Sequence, residues 1–176
     1  MLESFIIVFF LIAILLIFGT AAWAGLIAAP FVPTKRRDIE RLLKLAEVKK
    51  DDKVYDLGSG DGRIAIAAAE QFGAKVEGIE ISLLPYIFSK ILVRIKGLQK
   101  KVSIHYGDFF QVNLKKADVV ICFLTPKAMK KLKPKFKKEL TKNTRIVSYA
   151  FPLLDWTPKY VHKPQKGDIS VYLYEN

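Results

Sequence analysis

Val54-Tyr-Asp-Leu-Gly-Ser-Gly-Asp-Gly-Arg63 sets three glycines at alternate positions directly behind a short apolar run. Such a run, followed by a glycine loop and then by "RIAIAAAEQF", reads as strand, turn and helix, a unit of an open α/β sheet. Ligands of these sheets sit beyond the C-terminal ends of the strands, where strand order reverses. Dinucleotide sites want G-x-G-x-x-G, the third glycine allowing close helix packing. Here Arg63 stands in that third position, and the spacing is G-x-G-x-G. Asp56 and Asp61 bracket the glycines. Added negative charge repels a pyrophosphate but suits a cofactor carrying an ammonium and a sulfonium. The loop Gly58, Ser59, Gly60 and Gly62 therefore favours S-adenosylmethionine over NAD.

Two acidic residues downstream fit the same cofactor. Glu80 ends the apolar run "AKVEGIEI", about 20 residues after Gly60, where a carboxylate can accept both ribose hydroxyls. Asp108 follows a further strand in "YGDFF", placed to accept from an adenine amino group, with Phe109 or Phe110 as an apolar face. The competing role for Asp108 is that of a helix N-cap.

Outward from this loop, strands and helices alternate. Ahead of it, Thr34 is expected to cap a helix in which Ile39, Leu42, Leu43, Leu45 and Ala46 recur at helical spacing. Behind it, "SLLPYIFSKILVRIK" predicts a helix with Ser82 as N-cap. "KVSIHYGDFF", "ADVVICFL" and "TRIVSYAF" predict three more strands, and "PKAMKKLKPKFKKEL" a basic helix interrupted by Pro134. "YVH" and "ISVYLY" are joined by too few residues for a helical crossover and suit a hairpin. The expected fold is α/β: five βα-type units in a Rossmann-like seven-strand sheet, mostly parallel, ending in an antiparallel hairpin.

No charge appears between Ser4 and Thr34. Residues 5–29 are long enough to cross a hydrocarbon core of about 30 Å as one tilted helix. A cleaved signal peptide expects a basic start and a shorter apolar core. The division expected is an anchor over 1–30 and a catalytic domain over 31–176. Lys35-Arg36-Arg37 directly after the span place the N-terminus outside and the domain in the cytoplasm by the positive-inside rule. The chain carries a formal charge of +12, all of its basic residues following the apolar run, so anionic lipid, nucleic acid or acidic proteins would attract it. Cys122, in "DVVICFL", reads as a packed core thiol. His105 and His162 lack clustered partners at metal-ligand spacing, and no metal site is expected.

"VYDLGSGDGRIAIAAA" resembles motif I of class I, seven-strand methyltransferases. The pattern over Ala29 to the C-terminus is similar to archaeal protein-lysine methyltransferases and their membrane-anchored mitochondrial relatives. It is carried by "PFVPT", "YGDFF", "KLKPKFKKEL", "TRIVSYAFPLLDWTPKYV" and "VYLYE". The resemblance implies that Asp56, Gly58, Gly60, Glu80 and Asp108 hold S-adenosylmethionine and that Thr34 contacts its methionine end. It also implies methylated lysines in proteins as products, in the mitochondrial relatives on inner-membrane proteins. "CFLTPKAM" and "SYAF" depart from those relatives near the transfer site, so substrate identity does not carry over.

Methyl transfer to a lysine needs a neutral amine, whose free pKa is about 10.4. An apolar channel lowers that value by desolvation and makes a dedicated base optional. The channel is expected beside Phe123, Leu124, Thr125 and Pro126, with Phe151, Trp156 and Thr157 opposite. Thr125 is the candidate to orient the amine, and Tyr149 a further polar contact; packing is the competing role for Tyr149, and for Trp156 a hydrophobic plug. The lysines of 127–138 form either a solvated face or a second lipid contact. RNA is the less favoured partner, since Phe136 alone in that stretch could stack on a base. The rival readings are methylation of a lipid, quinone or other small molecule, and a non-catalytic membrane scaffold. The oligomeric state is not legible.

Overall fold

The computed structural model describes residues 1–27 and 32–176. Residues 28–31 lie outside the described residues, and with them the expected boundary at 30 and the start of "PFVPT". Helix α1, Leu2–Ile27, is long and apolar enough to cross a membrane, and most of its side chains face away from the protein. Near its end Ala24 is buried, and Leu83 N donates to Thr20 Oγ1 at 3.1 Å.

The remaining elements are α2 Arg36–Leu45, β1 Lys53–Leu57, α3 Arg63–Phe72, β2 Lys75–Glu80, α4 Leu83–Ile95, β3 Val102–Tyr106, β4 Val119–Cys122, α5 Pro126–Glu139, β5 Arg145–Tyr149, β6 Tyr160–His162 and β7 Val171–Glu175. The strands form one seven-stranded sheet in the order β3-β2-β1-β4-β5-β7-β6. β1 to β5 run parallel, and β7 lies antiparallel between β5 and β6. This is the mostly parallel sheet with a closing hairpin that the alternation predicts.

Both faces of the sheet are covered. Alternate residues of β1 and β4 face opposite layers: Val54, Val119 and Ile121 pack with Leu42, Leu43 and the alanines of α3, while Leu57, Val120 and Cys122 pack with Met129, Leu132 and Phe136 of α5. With strands buried on both sides, their apolar runs are continuous rather than alternating. Strand order reverses between β1 and β4, so the loops after these two strands flank the switch point.

Three expectations are corrected. The five βα units are three, because β3 reaches β4 through turns at 107–118 and no helix follows β5 among the described residues. Helix α2 begins one residue later than expected: its N-cap is Lys35, without a side-chain bond, and the Thr34 carbonyl accepts from Arg63 Nη1 at 2.9 Å instead. Helix α5 runs through Pro134. The proline stands on the exposed side, where water can satisfy the carbonyl that loses its partner, while Leu132 and Phe136 hold the buried side in register. Ser82 is the N-cap of α4 as expected, but its side chain makes no capping bond.

Candidate active site

Strand β1 delivers Asp56 and then the glycine loop to the switch point. Gly58, Gly60 and Gly62 have φ of 80°, 57° and 77°, the left-handed region that L side chains resist. Space reinforces the choice at Gly58, where an added Cβ would stand 3.0 Å from Leu124 Cδ2. Gly58 N and Ser59 N both donate to Ile79 O at 2.9 Å, tying the loop to the end of β2.

Glu80 completes that tie. Its Oε2 accepts from Gly60 N at 2.8 Å and its Oε1 from Ser82 N at 2.7 Å, with the side chain buried. Each oxygen keeps a second lone pair for a ligand hydroxyl. Gly78 is a requirement that the sequence reading missed: a Cβ there would meet Ser59 Oγ and Ile104 Cδ1, each at 2.6 Å. The absent side chain makes room for Ser59.

Beneath the loop, Asp56 is buried, and its Oδ2 has no partner among the described residues; the same is true of Ser59 Oγ. Burial pushes the Asp56 carboxyl up to about 7 against the opposing pull of the nearby Ser59 hydroxyl and Ala65 amide, and the Glu80 and Asp61 charges add to the rise. Buried polar atoms without partners are rare because each forfeits its hydration. Here they face a crevice lined by Ala24, Val32, Pro33, Thr34, Asp56, the loop from Gly58 to Asp61, Arg63, Ile64, Glu80, Ile81, Ser82, Phe109, Phe123 and Leu124. The donor set fits S-adenosylmethionine: acceptors for an ammonium and for ribose hydroxyls, backbone close by, and Phe109 as an apolar wall.

Arg63, named above only as the residue that breaks the dinucleotide spacing, acts as a latch. It donates to both carboxylate oxygens of Asp61 and reaches the Thr34 carbonyl, joining loop and connector. Spacing alone could not reveal this, because its target lies 29 residues away. Asp108 stands outside the crevice lining; its Oδ1 accepts from Phe110 N at 2.9 Å and shapes the turn that buries Phe109. Gly62 likewise stands back from the crevice, as the left-handed N-cap of α3.

The segments after β4 and β5 form a second region. Phe123 lines the crevice and meets Tyr149 edge to face, ring centroids 4.8 Å apart. Tyr149 is buried and donates its hydroxyl to Asp38 Oδ2 at 2.6 Å, pinning α2 to β5; burial and then Asp38 push its phenol above the ordinary range. The Thr125 hydroxyl accepts from Ala128 N and caps α5, with Pro126 in the first turn. Trp156 is half-buried against Tyr174, ring centroids 6.0 Å apart. None of Thr125, Pro126, Tyr149 and Trp156 lines the cofactor crevice. Cys122 is fully buried, and burial raises its thiol, the state of a packed core cysteine.

Residues 56–160 match the model of the ANTKMT methyltransferase domain. The chain is 42% identical over 148 residues to a protein-lysine N-methyltransferase of Saccharolobus islandicus, covering 82% of this chain and 92% of that one. It is 31% identical over 149 residues to a human lysine N-methyltransferase named for ATP synthase, covering 85% of this chain and 62% of that one. Its fold superposes with a TM-score of 0.78 on the crystal structure of an RNA methyltransferase from Salinibacter ruber in complex with S-adenosyl-L-homocysteine, at 35% identity and covering 82% and 93% of the two chains. On the glycine loop, the carboxylate that ends β2 and these likenesses over most of its length, the chain belongs to the ANTKMT methyltransferase domain family and is an S-adenosyl-L-methionine-dependent methyltransferase.

Proposed function

We propose that the chain is a membrane-tethered protein-lysine N-methyltransferase, with residues 1–30 as anchor, 31–176 as catalytic domain and the active site on the cytoplasmic side. The observation that carries the lysine assignment is the 42% identity to an archaeal protein-lysine N-methyltransferase across 92% of that protein. The tether rests on α1 and on Lys35-Arg36-Arg37 behind it. The human relative is named for a lysine of ATP synthase, which makes a membrane-associated protein a reasonable class of substrate.

S-adenosylmethionine, when bound, supplies a methyl group made electrophilic by its sulfonium. Asp56 and Ser59 would hold the ammonium end through the two atoms left unpaired beneath the loop. Thr34 would lie beside that end and Glu80 would take the ribose. Phe109 would face the adenine, with Asp108 Oδ2 near its amino group. Asp61 is engaged by Arg63 and Glu80 by two amides, so both carboxylates serve to hold the loop in place.

The protein's work on the acceptor is to desolvate the lysine, hold it in line and let its proton leave to water. Phe123 and Leu124 begin the apolar passage, and we assign its continuation to Thr125, Pro126 and Trp156. Tyr149 would act by fixing Phe123 rather than by touching the amine.

The test is incubation of the full chain and labelled cofactor with its native membranes and soluble extract, followed by separation of protein, lipid and RNA. Label on protein lysines is the expected result. Label in the lipid extract or in RNA, where the +12 charge and the Salinibacter relative would lead, overturns the assignment.

A further inference from the structure

Helix α4 carries two apolar faces. Val93, with Tyr86 and Leu92, turns one toward the core. On the other side, Leu84, Ile87, Phe88, Ile91 and Ile95 are between 44% and 75% exposed. At about 100° per residue these five fall within an arc of roughly 100°, a continuous stripe about 16 Å long. A soluble surface seldom leaves so large an apolar patch uncovered.

The surroundings say what covers it. Lys90 and Arg94 lie along one flank of the stripe, and Lys96, Lys100 and Lys101 beyond its C-terminal end. No acidic residue occurs from Ser82 to Val102. Of these cations Lys96 is paired with Glu70 at 2.8 Å, and the others leave the rim of the stripe net positive. An apolar face with a net positive rim matches an anionic bilayer surface: chains into lipid, ammonium and guanidinium groups at the phosphates. By contrast, α5 spends its apolar residues Met129, Leu132 and Phe136 on the core.

Position agrees with chemistry. The 26 residues of α1 make about 39 Å of helix, longer than the ~30 Å hydrocarbon core. The bond from Leu83 N to Thr20 Oγ1 sets the start of α4 about 10 Å before the end of α1, at the depth where the core gives way to headgroups. Trp23, more than half exposed, stands in the same zone, where tryptophans anchor spans.

We propose that the exposed face of α4 is a second membrane contact, lying in the headgroup region of the leaflet that α1 leaves. This rests on the reading of α1 as a span. Its consequence is a fixed orientation: Ile81, Ser82 and Ala24 all line the cofactor crevice, so the crevice is held at the lipid surface.

The experiment uses the full chain in vesicles of phosphatidylcholine mixed with phosphatidylglycerol. Cys122 is fully buried, so a polarity-sensitive fluorophore can be placed singly at Phe88→Cys, at Phe10→Cys in α1, and at exposed Lys163→Cys beyond β6. Ile91→Cys replaces the first variant if that one does not fold. Expected are blue-shifted emission and several-fold stronger quenching by acyl-chain spin-labelled lipid than by a water-soluble quencher at Phe88→Cys and Phe10→Cys, with the reverse at Lys163→Cys. Adding Lys90→Glu and Arg94→Glu should return the Phe88→Cys label toward water and leave the Phe10→Cys label in lipid. A lipid-quenched label at Phe10→Cys with a water-quenched label at Phe88→Cys would overturn the contact and keep the anchor. A label at Phe10→Cys that lipid does not quench would remove both. Shielding at Phe88→Cys from water without quenching by lipid would mean a protein partner and would also overturn the contact.

Discussion

The glycine loop and the segment after β5 are built on different terms. In the first, the backbone is committed: left-handed glycines, amides bonded to Ile79 and Glu80, and an absent Cβ at Gly78 that admits Ser59. In the second, Phe151 and Leu154 stand exposed, and two non-glycine residues, Ala150 and Asp155, adopt left-handed φ of 73° and 55°. One region is shaped to a ligand of fixed chemistry. The other offers exposed apolar surface on a strained turn.

The largest effect should come from cutting the committed side at Glu80. Glu80→Ala removes a carboxylate that accepts two amides, bonds worth about 1.5–3 kcal/mol each. Cofactor affinity by calorimetry should fall by roughly 10²-fold or more, with activity following. If Glu80→Ala bound cofactor as well as the parent, the loop would not depend on that tie.

Asp56 gives the next effect, and it has a sign. Its carboxyl is raised to about 7 by burial, so the cofactor-free protein binds that proton more tightly than the unfolded chain does. Stability from this group is present at acid pH and is lost as pH rises through 7. Binding an ammonium favours the carboxylate, so cofactor affinity should strengthen about tenfold per pH unit up to 7 and level off above it. Asp56→Asn should flatten both profiles. A parent protein whose cofactor-free melting temperature rose steadily from pH 5 to 8, unchanged by Asp56→Asn, would contradict the assignment.

Smaller effects belong to the other side. Tyr149→Phe leaves the buried Asp38 without its phenol partner and should cost about 1–3 kcal/mol in urea unfolding, with cofactor affinity nearly unchanged. A tenfold loss of cofactor affinity in that variant would place Tyr149 in the binding machinery instead. Smallest is Ala150→Gly, which relieves a left-handed alanine and should stabilise by up to about 1 kcal/mol. Destabilisation by Ala150→Gly would mean that the turn is not strained.

The contrast also explains what the sequence could convey. Motif spacing locates Asp56, the glycines and Glu80 because each lies at or directly after the end of a strand, and parallel strands in register set their C-terminal ends side by side. The hairpin is legible because "KPQKGD" between two strand-like runs leaves no room for a helix. The latch from Arg63 to Thr34 is not, since it joins segments whose proximity exists only after α2 packs on α3. The same holds for Tyr149 and Asp38, 111 residues apart. Pro134 misleads in the other direction: its local rule against helix is outweighed by the burial of Leu132 and Phe136 on either side of it.

The central claim is transfer of a methyl group to a protein lysine, and tandem mass spectrometry of native membrane proteins tests it most directly. Membranes treated with the parent chain and isotopically labelled cofactor should show labelled methyl groups on lysine side chains, absent with Glu80→Ala. Labelled lysines equally abundant with Glu80→Ala, or label confined to lipid or RNA, would contradict it.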